Sequence, residues 1–514
     1  MKFLKKVTLA STLIIFCGNL FAQKNETMYF MDAIPNVVDM NPALQPRCNT
    51  YLELPIPTNF VSERNNLTQT ENLANEDGKL FFEVTSPKDK EFFYNRVKNV
   101  TKANVEFSVD ILNFGWRKER NYWNVGIGVK GNVGLAVPKA LLDLGYYAKD
   151  NGTHKYDLSK MGLNASVYTE FGVGYSRKIG DHWTVGGKFK ILNGIANLHL
   201  SSRNSYIQIT DKGNDKYHIN LGGDKVVFKA SVPVVGLNQL DGGENDAIDA
   251  NGDLIFDNVG DRISENIDEY HFNDEDYPTD YGRIASCLYK NFGAAIDLGF
   301  VYEPVEHLRI SAAVNDLGFI HWSNDVAQLS LAQGESDFEL KMDNPSAENV
   351  YECASEEGAI RVHYDNYDNA NKFDAKKGYT TMVNAKFNAA IEYGFLDERI
   401  SIGLLSSNTI FCNRIFTQLT PSINFRPVEF FSASLSYSLI NTNYHSIGAG
   451  LNFHIYPLNL FIVSDIIPLK KSEWEGIINF SESDAFPNIQ ANIAIGLNMT
   501  WGCKYKNNEP SFIY

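Results

Sequence analysis

Residues 489–503, IQANIAIGLNMTWGC, decide the reading of the fold. The odd positions Ile489, Ala491, Ile493, Ile495, Leu497, Met499, Trp501 and Cys503 are apolar. Between them stand Gln490, Asn492, Ala494, Gly496, Asn498, Thr500 and Gly502, all small or polar. Successive side chains of a strand point to opposite faces, so this stretch predicts a strand that is apolar on one side and polar on the other. Its length exceeds the roughly 5 or 6 residues usual for a sandwich or propeller strand. It suits a tilted bilayer crossing, which takes about 9 to 11 residues plus extensions.

The same period recurs along the chain. Trp123, Val125, Ile127, Val129, Val133, Leu135 and Val137 alternate with small or polar residues, including Gly126, Gly128, Lys130 and Asn132. Similar runs cover residues 163–179, 292–302, 308–314, 400–404, 431–439 and 447–455, separated by short turns such as Gly180-Asp181 and Leu396-Asp397-Glu398. The runs predict an all-β fold, a transmembrane antiparallel barrel of about 14 strands over residues 49–505, where an even number is expected. Aromatics near strand ends (Tyr122, Trp123, Trp183, Tyr302, Trp322, Tyr393, Phe395, Phe430, Phe431, Trp501, Tyr505) fit interfacial girdles in contact with outer-membrane lipid. Gly496, Met499 and Trp501 have the spacing of the C-terminal signal read by the barrel-assembly machinery, and residues 506–514 form a tail.

Lys2, Lys5 and Lys6 precede an apolar run from Val7 to Cys17. This predicts a signal peptide over residues 1–22, cut after Ala22, and hence export through the inner membrane to the cell outer membrane. Residues 23–48 come next. Within them Pro42 and Pro46 oppose helix and strand, Asn41 favours a turn, and Met31, Val37, Val38, Met40 and Leu44 are apolar. A compact, non-sheet, apolar peptide is a poor solvated linker. It is expected to pack in the barrel lumen as a plug or hatch, with Asn41, Pro42 and Ala43 at its centre.

The 514 residues carry a formal net charge of −16, which argues against nucleic acid as partner, since phosphate binding needs clustered cations. Residues 231–280 hold fourteen acids against Arg262 alone, as expected of a long external loop, and residues 344–377 read as a second one. Inside the acidic block, Asp249, Asn251 and Asp253 resemble part of a calcium loop. In that register Ala247 and Asn258 stand where Asp and a bidentate Glu are needed, so it is a weak cation candidate. Cys48, Cys287, Cys353, Cys412 and Cys503 are widely spaced, with no metal-binding pattern and no disulfide framework. No nucleophile–base or cofactor motif stands out, so neither an enzyme nor a cofactor is expected.

Asn41-Pro42-Ala43 after a signal peptide, Ala295-Ile-Asp-Leu-Gly299 leading to Tyr302 and Pro304, and Val314-Asn-Asp-Leu-Gly318 together resemble the FadL and PorV superfamily of outer-membrane barrels. Within it the chain is most similar to an uncharacterised Bacteroidota family of the domain-of-unknown-function type. The resemblance implies a hatch in the lumen and passage of small hydrophobic molecules. Its alternative implication is a PorV-like surface interaction or type IX secretion accessory protein, which uses the barrel as an anchor and has a secretion-system protein as partner.

Overall fold

The computed structural model describes residues 26–53, 59–60, 62–65, 99–140, 152–213, 216–222, 225–232, 289–324, 326–331, 334–339, 373–374, 378–411, 414–440, 444–467 and 492–503. The leader (1–22), most of the acidic block, the Asp249, Asn251 and Asp253 candidate, most of the second loop and the tail (506–514) lie outside these residues.

Fourteen strands form the wall: β1 (Thr50–Glu53), β2 (Val100–Lys118), β3 (Asn121–Pro138), β4 (Gly162–Ile179), β5 (Trp183–Arg203), β6 (Phe292–Val305), β7 (Leu308–Trp322), β8 (Ala385–Phe395), β9 (Ile400–Phe411), β10 (Arg414–Val428), β11 (Phe431–Ile440), β12 (Tyr444–Ile455), β13 (Leu458–Ile466) and β14 (Asn492–Trp501). Each pairs antiparallel with the next. β14 returns to β1 in the register Thr50↔Trp501 to Glu53↔Asn498, which closes the barrel. The short strand Asn59–Phe60 continues that seam against β14, and Ser62–Asn65 continues it against β2. Closure matters because an open edge in hydrocarbon would leave unpaired main-chain groups, which costs several kcal/mol for each.

One end of the barrel has tight turns. Lys118↔Asn121, Val305↔Leu308, Val428↔Phe431 and Ile455↔Leu458 are each bridged by two residues. Glu119 and His307 reach positive φ there, a backbone region that tight hairpin turns often use. The long connections all lie at the other end, the arrangement of a bacterial barrel with short periplasmic turns. On that side, Thr153–Asp157, Tyr206–Gly213, Lys216–Gly222 and Gly334–Glu339 form a separate four-stranded sheet.

Two wall strands are interrupted on the long-connection side. Lys225–Ser231 pairs with the far end of β5 in line with β6, and Val326–Leu331 pairs with it in line with β7. Asn291 stitches the break. Its amide donates to the Gly194 carbonyl (3.2 Å) and the Ser231 hydroxyl (3.3 Å), and its oxygen accepts the main-chain N–H groups of Ser323 (2.8 Å) and Asn324 (2.9 Å).

Burial follows the predicted alternation. In β14 Ala494, Gly496, Asn498 and Thr500 are buried, while Ile495, Leu497 and Met499 on the other face are only half-buried. The outer surface exposes a continuous apolar set that includes Phe189, Leu298, Ile402, Ile423, Leu435 and Ile462. A water-soluble protein rarely exposes such a band, and lipid is its natural solvent. Near the short turns Trp183 stacks on Tyr302 (4.2 Å), and Trp123 packs on Tyr175 (4.5 Å).

Three expectations need correction. Tyr122 shares the parity of Asn124 and Lys130, so it faces inward, 1% exposed, against Val38 and Tyr51. Trp322 also lies inside, fully buried, because a bulge at Asp316 (φ 59°) shifts the inward parity of β7 from Arg309, Ser311 and Asn315 to Ile320 and Trp322. Cys48 and Cys503 form a disulfide, since two residues beyond Thr50↔Trp501 the seam register sets them opposite one another.

Replacing Ile495 with Arg on the outer face should cost about 2–4 kcal/mol if it sits near the bilayer midplane. The loss should appear as less heat-modifiable barrel on gels, whereas the polar substitution Asn498→Ser on the inner face should retain far more of it.

Candidate functional site

Residues 26–48 lie against the polar, inward faces of the wall. Two short 3₁₀ turns, Glu26–Phe30 and Pro35–Asp39, are buried throughout. Met28, Tyr29, Phe30, Met31, Ile34, Val37, Met40, Ala43 and Leu44 share one cluster with Val301, Ala390, Leu405, Phe461 and Val463 of the wall. Each deeply buried apolar side chain of this kind contributes roughly 1.5–3 kcal/mol.

The Asn41-Pro42-Ala43 motif holds the centre. The Asn41 side-chain oxygen accepts the Ala43 N–H (2.9 Å), and the Asn41 carbonyl accepts the Leu44 N–H (2.9 Å), so the chain reverses tightly. The Asn41 amide donates to the Tyr29 hydroxyl (3.2 Å) and to the main-chain carbonyls of Phe300 and Ala312 (3.4 Å each). Pro42 has no N–H to satisfy in this buried turn. The wall makes room for it with glycine. A Cβ on Gly186 would come within 2.3 Å of the Pro42 carbonyl oxygen, and one on Gly299 within 2.1 Å of Asn41 Oδ1.

The segment touches the wall all around. Asn315 donates to the carbonyls of Asp39 (2.9 Å) and Met40 (2.8 Å), and Asn388 to that of Met40 (3.0 Å). Asn36 donates to Glu53 (2.8 Å) and accepts from Asn498 (3.0 Å). Arg117 donates to Gln45 and to the Pro46 carbonyl, both at 2.6 Å. At the other end Asp465 accepts the main-chain N–H groups of Glu26 (2.7 Å) and Thr27 (2.8 Å) together with the Thr27 hydroxyl.

Two ionic networks join segment and wall. In the first, Lys130, Lys188 and Lys190 meet Glu170, Asp297, Asp316 and Asp39 of the segment. Lys188–Asp39 is 2.8 Å, Lys130–Glu170 2.5 Å, Lys190–Asp297 2.7 Å and Lys190–Asp316 2.5 Å. In the second, Glu392 pairs with Arg309 and with Arg426 (3.0 Å). Arg426 also reaches Asp32 of the segment (3.4 Å), which pairs with Arg47 (3.0 Å). Charges this deep hold only because each has a partner.

Further toward the long-connection end, Tyr168, Leu192, Ala295, Ile320, Trp322, Val326 and Tyr379 form an inward apolar cluster. Trp322 Nε1 donates to Thr381 (2.8 Å), and Tyr379 OH to Asn197 (2.8 Å). Across the lumen β9–β12 present hydroxyls and amides, among them Ser407, Thr420, Ser422, Asn424, Ser434 and Ser438.

The structure thus brings Asn41, Pro42 and Ala43 together with the wall glycines. Of the ionic groups, Lys130 stands at the polar parity read in the sequence, and Asp297 and Asp316 fall within the quoted Ala295–Gly299 and Val314–Gly318 stretches; the others were not singled out there. Their signal was a charged residue in mid-strand at the polar parity, as at Lys190, Asp297 and Glu392. Cys48, His454 and Cys503 also lie close together, but both sulfurs are engaged in the disulfide.

A closed 14-strand antiparallel membrane barrel with its N-terminal segment buried against the inner wall is the class these features define. The chain belongs to the family of unknown function DUF5723, whose model matches residues 42–465. That agrees with the resemblance to an uncharacterised family drawn from the sequence. A search of curated proteins finds no match. Among solved structures the chain is similar to the toluene transporter TodX of P. putida (7% identity, 90% of each chain, TM-score 0.32). It is also similar to the monoaromatic hydrocarbon channel CymD (8% identity, 94% of each chain, TM-score 0.33). At these scores the likenesses carry no further argument, and the barrel stands on its own strand pairing.

Lys188→Met should leave Asp39 buried without its ammonium, at a cost of about 3–5 kcal/mol for a broken buried pair. Thermal unfolding of the detergent-solubilised barrel should show the loss. Adding Asp39→Asn should restore a substantial part of it.

Proposed function

We propose that the protein is an outer-membrane channel whose lumen is closed by residues 26–48, and that displacing this hatch lets small hydrophobic molecules pass. The observation that carries the reading is how the segment is held. It contacts inward residues from β1 round to β14, yet every contact before Cys48 is non-covalent. Many of these are hydrogen bonds, and water can replace a neutral one at a net cost of about 0.5–1.5 kcal/mol. The inward cluster around Trp322 and Tyr379 offers apolar surface on the approach from the long-connection side. The leader read in residues 1–22 and the short-turn topology support placement in the outer membrane.

The second reading is a surface interaction or type IX secretion accessory protein. The four-stranded sheet beyond the wall favours it, since a barrel serving as an anchor needs an exposed element to act through.

Deleting residues 32–46 decides between them. The wall closes its own hydrogen bonds, so the deleted form should still fold. In planar bilayers it should show larger and more frequent conductance steps than the parent. Gly186→Val, which drives a side chain into Pro42, should act in the same direction without shortening the chain. A folded deletion form that conducts no more than the parent would reject the hatch and leave the anchor reading.

A further inference from the structure

The two ends of the buried segment are held by different chemistry. At its C-terminal end Cys48 is bonded to Cys503, 455 residues away, at the rim where β14 ends. The chain on the far side of Cys48 is fixed as well. The Asn49 N–H donates to the Gly502 carbonyl (3.3 Å), the Asn49 carbonyl accepts the Arg117 N–H (2.6 Å), and β1 then pairs with β14 and β2. At its N-terminal end no covalent bond joins the described residues to the wall. One carboxylate, Asp465, gathers the N–H groups of Glu26 and Thr27 and the Thr27 hydroxyl, and the same hydroxyl lies 2.6 Å from Ser436 Oγ.

We propose that residues 26–47 open as a flap hinged at the Cys48–Cys503 disulfide, with Asp465 on β13 as the latch for the Glu26–Thr27 end. The proposal rests on the hatch reading above and adds where the hatch turns and where it lets go. Asp465 lies seven residues along β13 from its rim end at Leu458, roughly 23 Å at about 3.3 Å per residue. Hinge and latch are therefore at different heights on neighbouring strands. Releasing the latch frees the Glu26–Phe30 turn first, and the ion pairs of Asp32 and Asp39 follow.

The disulfide has a second effect in this arrangement. β1 has only four residues, the fewest of the fourteen wall strands, and it follows the moving segment directly. A pull on the hatch would otherwise load the Thr50↔Trp501 end of the seam. With Cys48 bonded to Cys503, the pull ends at the covalent link and the seam stays shut.

The test is single-channel recording on the full mature protein in planar bilayers, with folding checked by heat-modifiable mobility. Asp465→Ala, or Thr27→Val where the first variant does not fold, should raise opening frequency several-fold with the step size unchanged, because the hinge still retains the flap. Cys503→Ser combined with the latch variant should enlarge the step, because the pull then loads the Thr50↔Trp501 end of the seam, and the segment swings further as that end peels. Dithiothreitol added to the reconstituted latch variant should do the same. It reduces the disulfide to two thiols while its own two thiols become a cyclic disulfide, and mass mapping of free thiols confirms the reduction. If the deletion of residues 32–46 opens the lumen but the latch variants leave opening frequency at the parent value, the latch is wrong. If confirmed reduction leaves the step size unchanged, the hinge is wrong. If the deletion itself opens nothing, the hatch reading fails, and the proposal with it.

Discussion

A sheet in hydrocarbon cannot leave a main-chain donor or acceptor unpaired, and every larger feature of this molecule follows from that constraint. It requires β14 to return to β1, which it does through the pairing from Thr50↔Trp501 to Glu53↔Asn498. Closure gives each strand an outside and an inside, so each must be written with period two. The outside takes Ile, Leu, Phe and Val at no cost in lipid. The inside is shielded from lipid and must satisfy its own polar groups.

How the inside does so differs around the ring. From β3 to β8, together with Arg426 of β10, it is ionic, and in both networks a carboxylate of the N-terminal segment completes the set: Asp39 beside Lys188, and Asp32 beside Arg426. From β9 to β12 it is mostly hydroxyl and amide, and these groups bond to one another, as Gln418 and Thr420 do with Ser438. The segment is therefore part of the interior's charge balance as well as its packing. The glycines at 186 and 299 mark where the wall gives up side chains so that the Asn41-Pro42-Ala43 turn can approach.

Much of this was legible in the sequence, because alternation is a local property. In β14 the split between Ile495 or Leu497 and Asn498 could be read directly, and the apolar, proline-broken character of residues 31–46 marked a peptide that water would not hold. Tyr122 was legible too, had parity been given weight over proximity to a strand end. Trp322 was not. The bulge at Asp316 exchanges the faces of β7, and a non-glycine residue at positive φ leaves no local sign. The Cys48–Cys503 bond depends on a register across 455 residues, and spacing along the chain carries no information about that. The ionic clusters are similar: Lys130, Glu170 and Asp297 each read as a polar inward residue, and only the ring brings them together.

The break at Ser231 and Asn291 gives the chain a property that an ordinary loop does not. The strand line of β6 stops and resumes at nearly one point, with Asn291 bonded to Ser231, Gly194, Ser323 and Asn324 across the gap. Both cut ends are anchored in the wall, so the barrel has no mechanical stake in what is spliced between them. Residues 232–290 could then change in length and charge over generations while the wall keeps its register. The composition of that stretch can then vary without a cost to the closure of the wall.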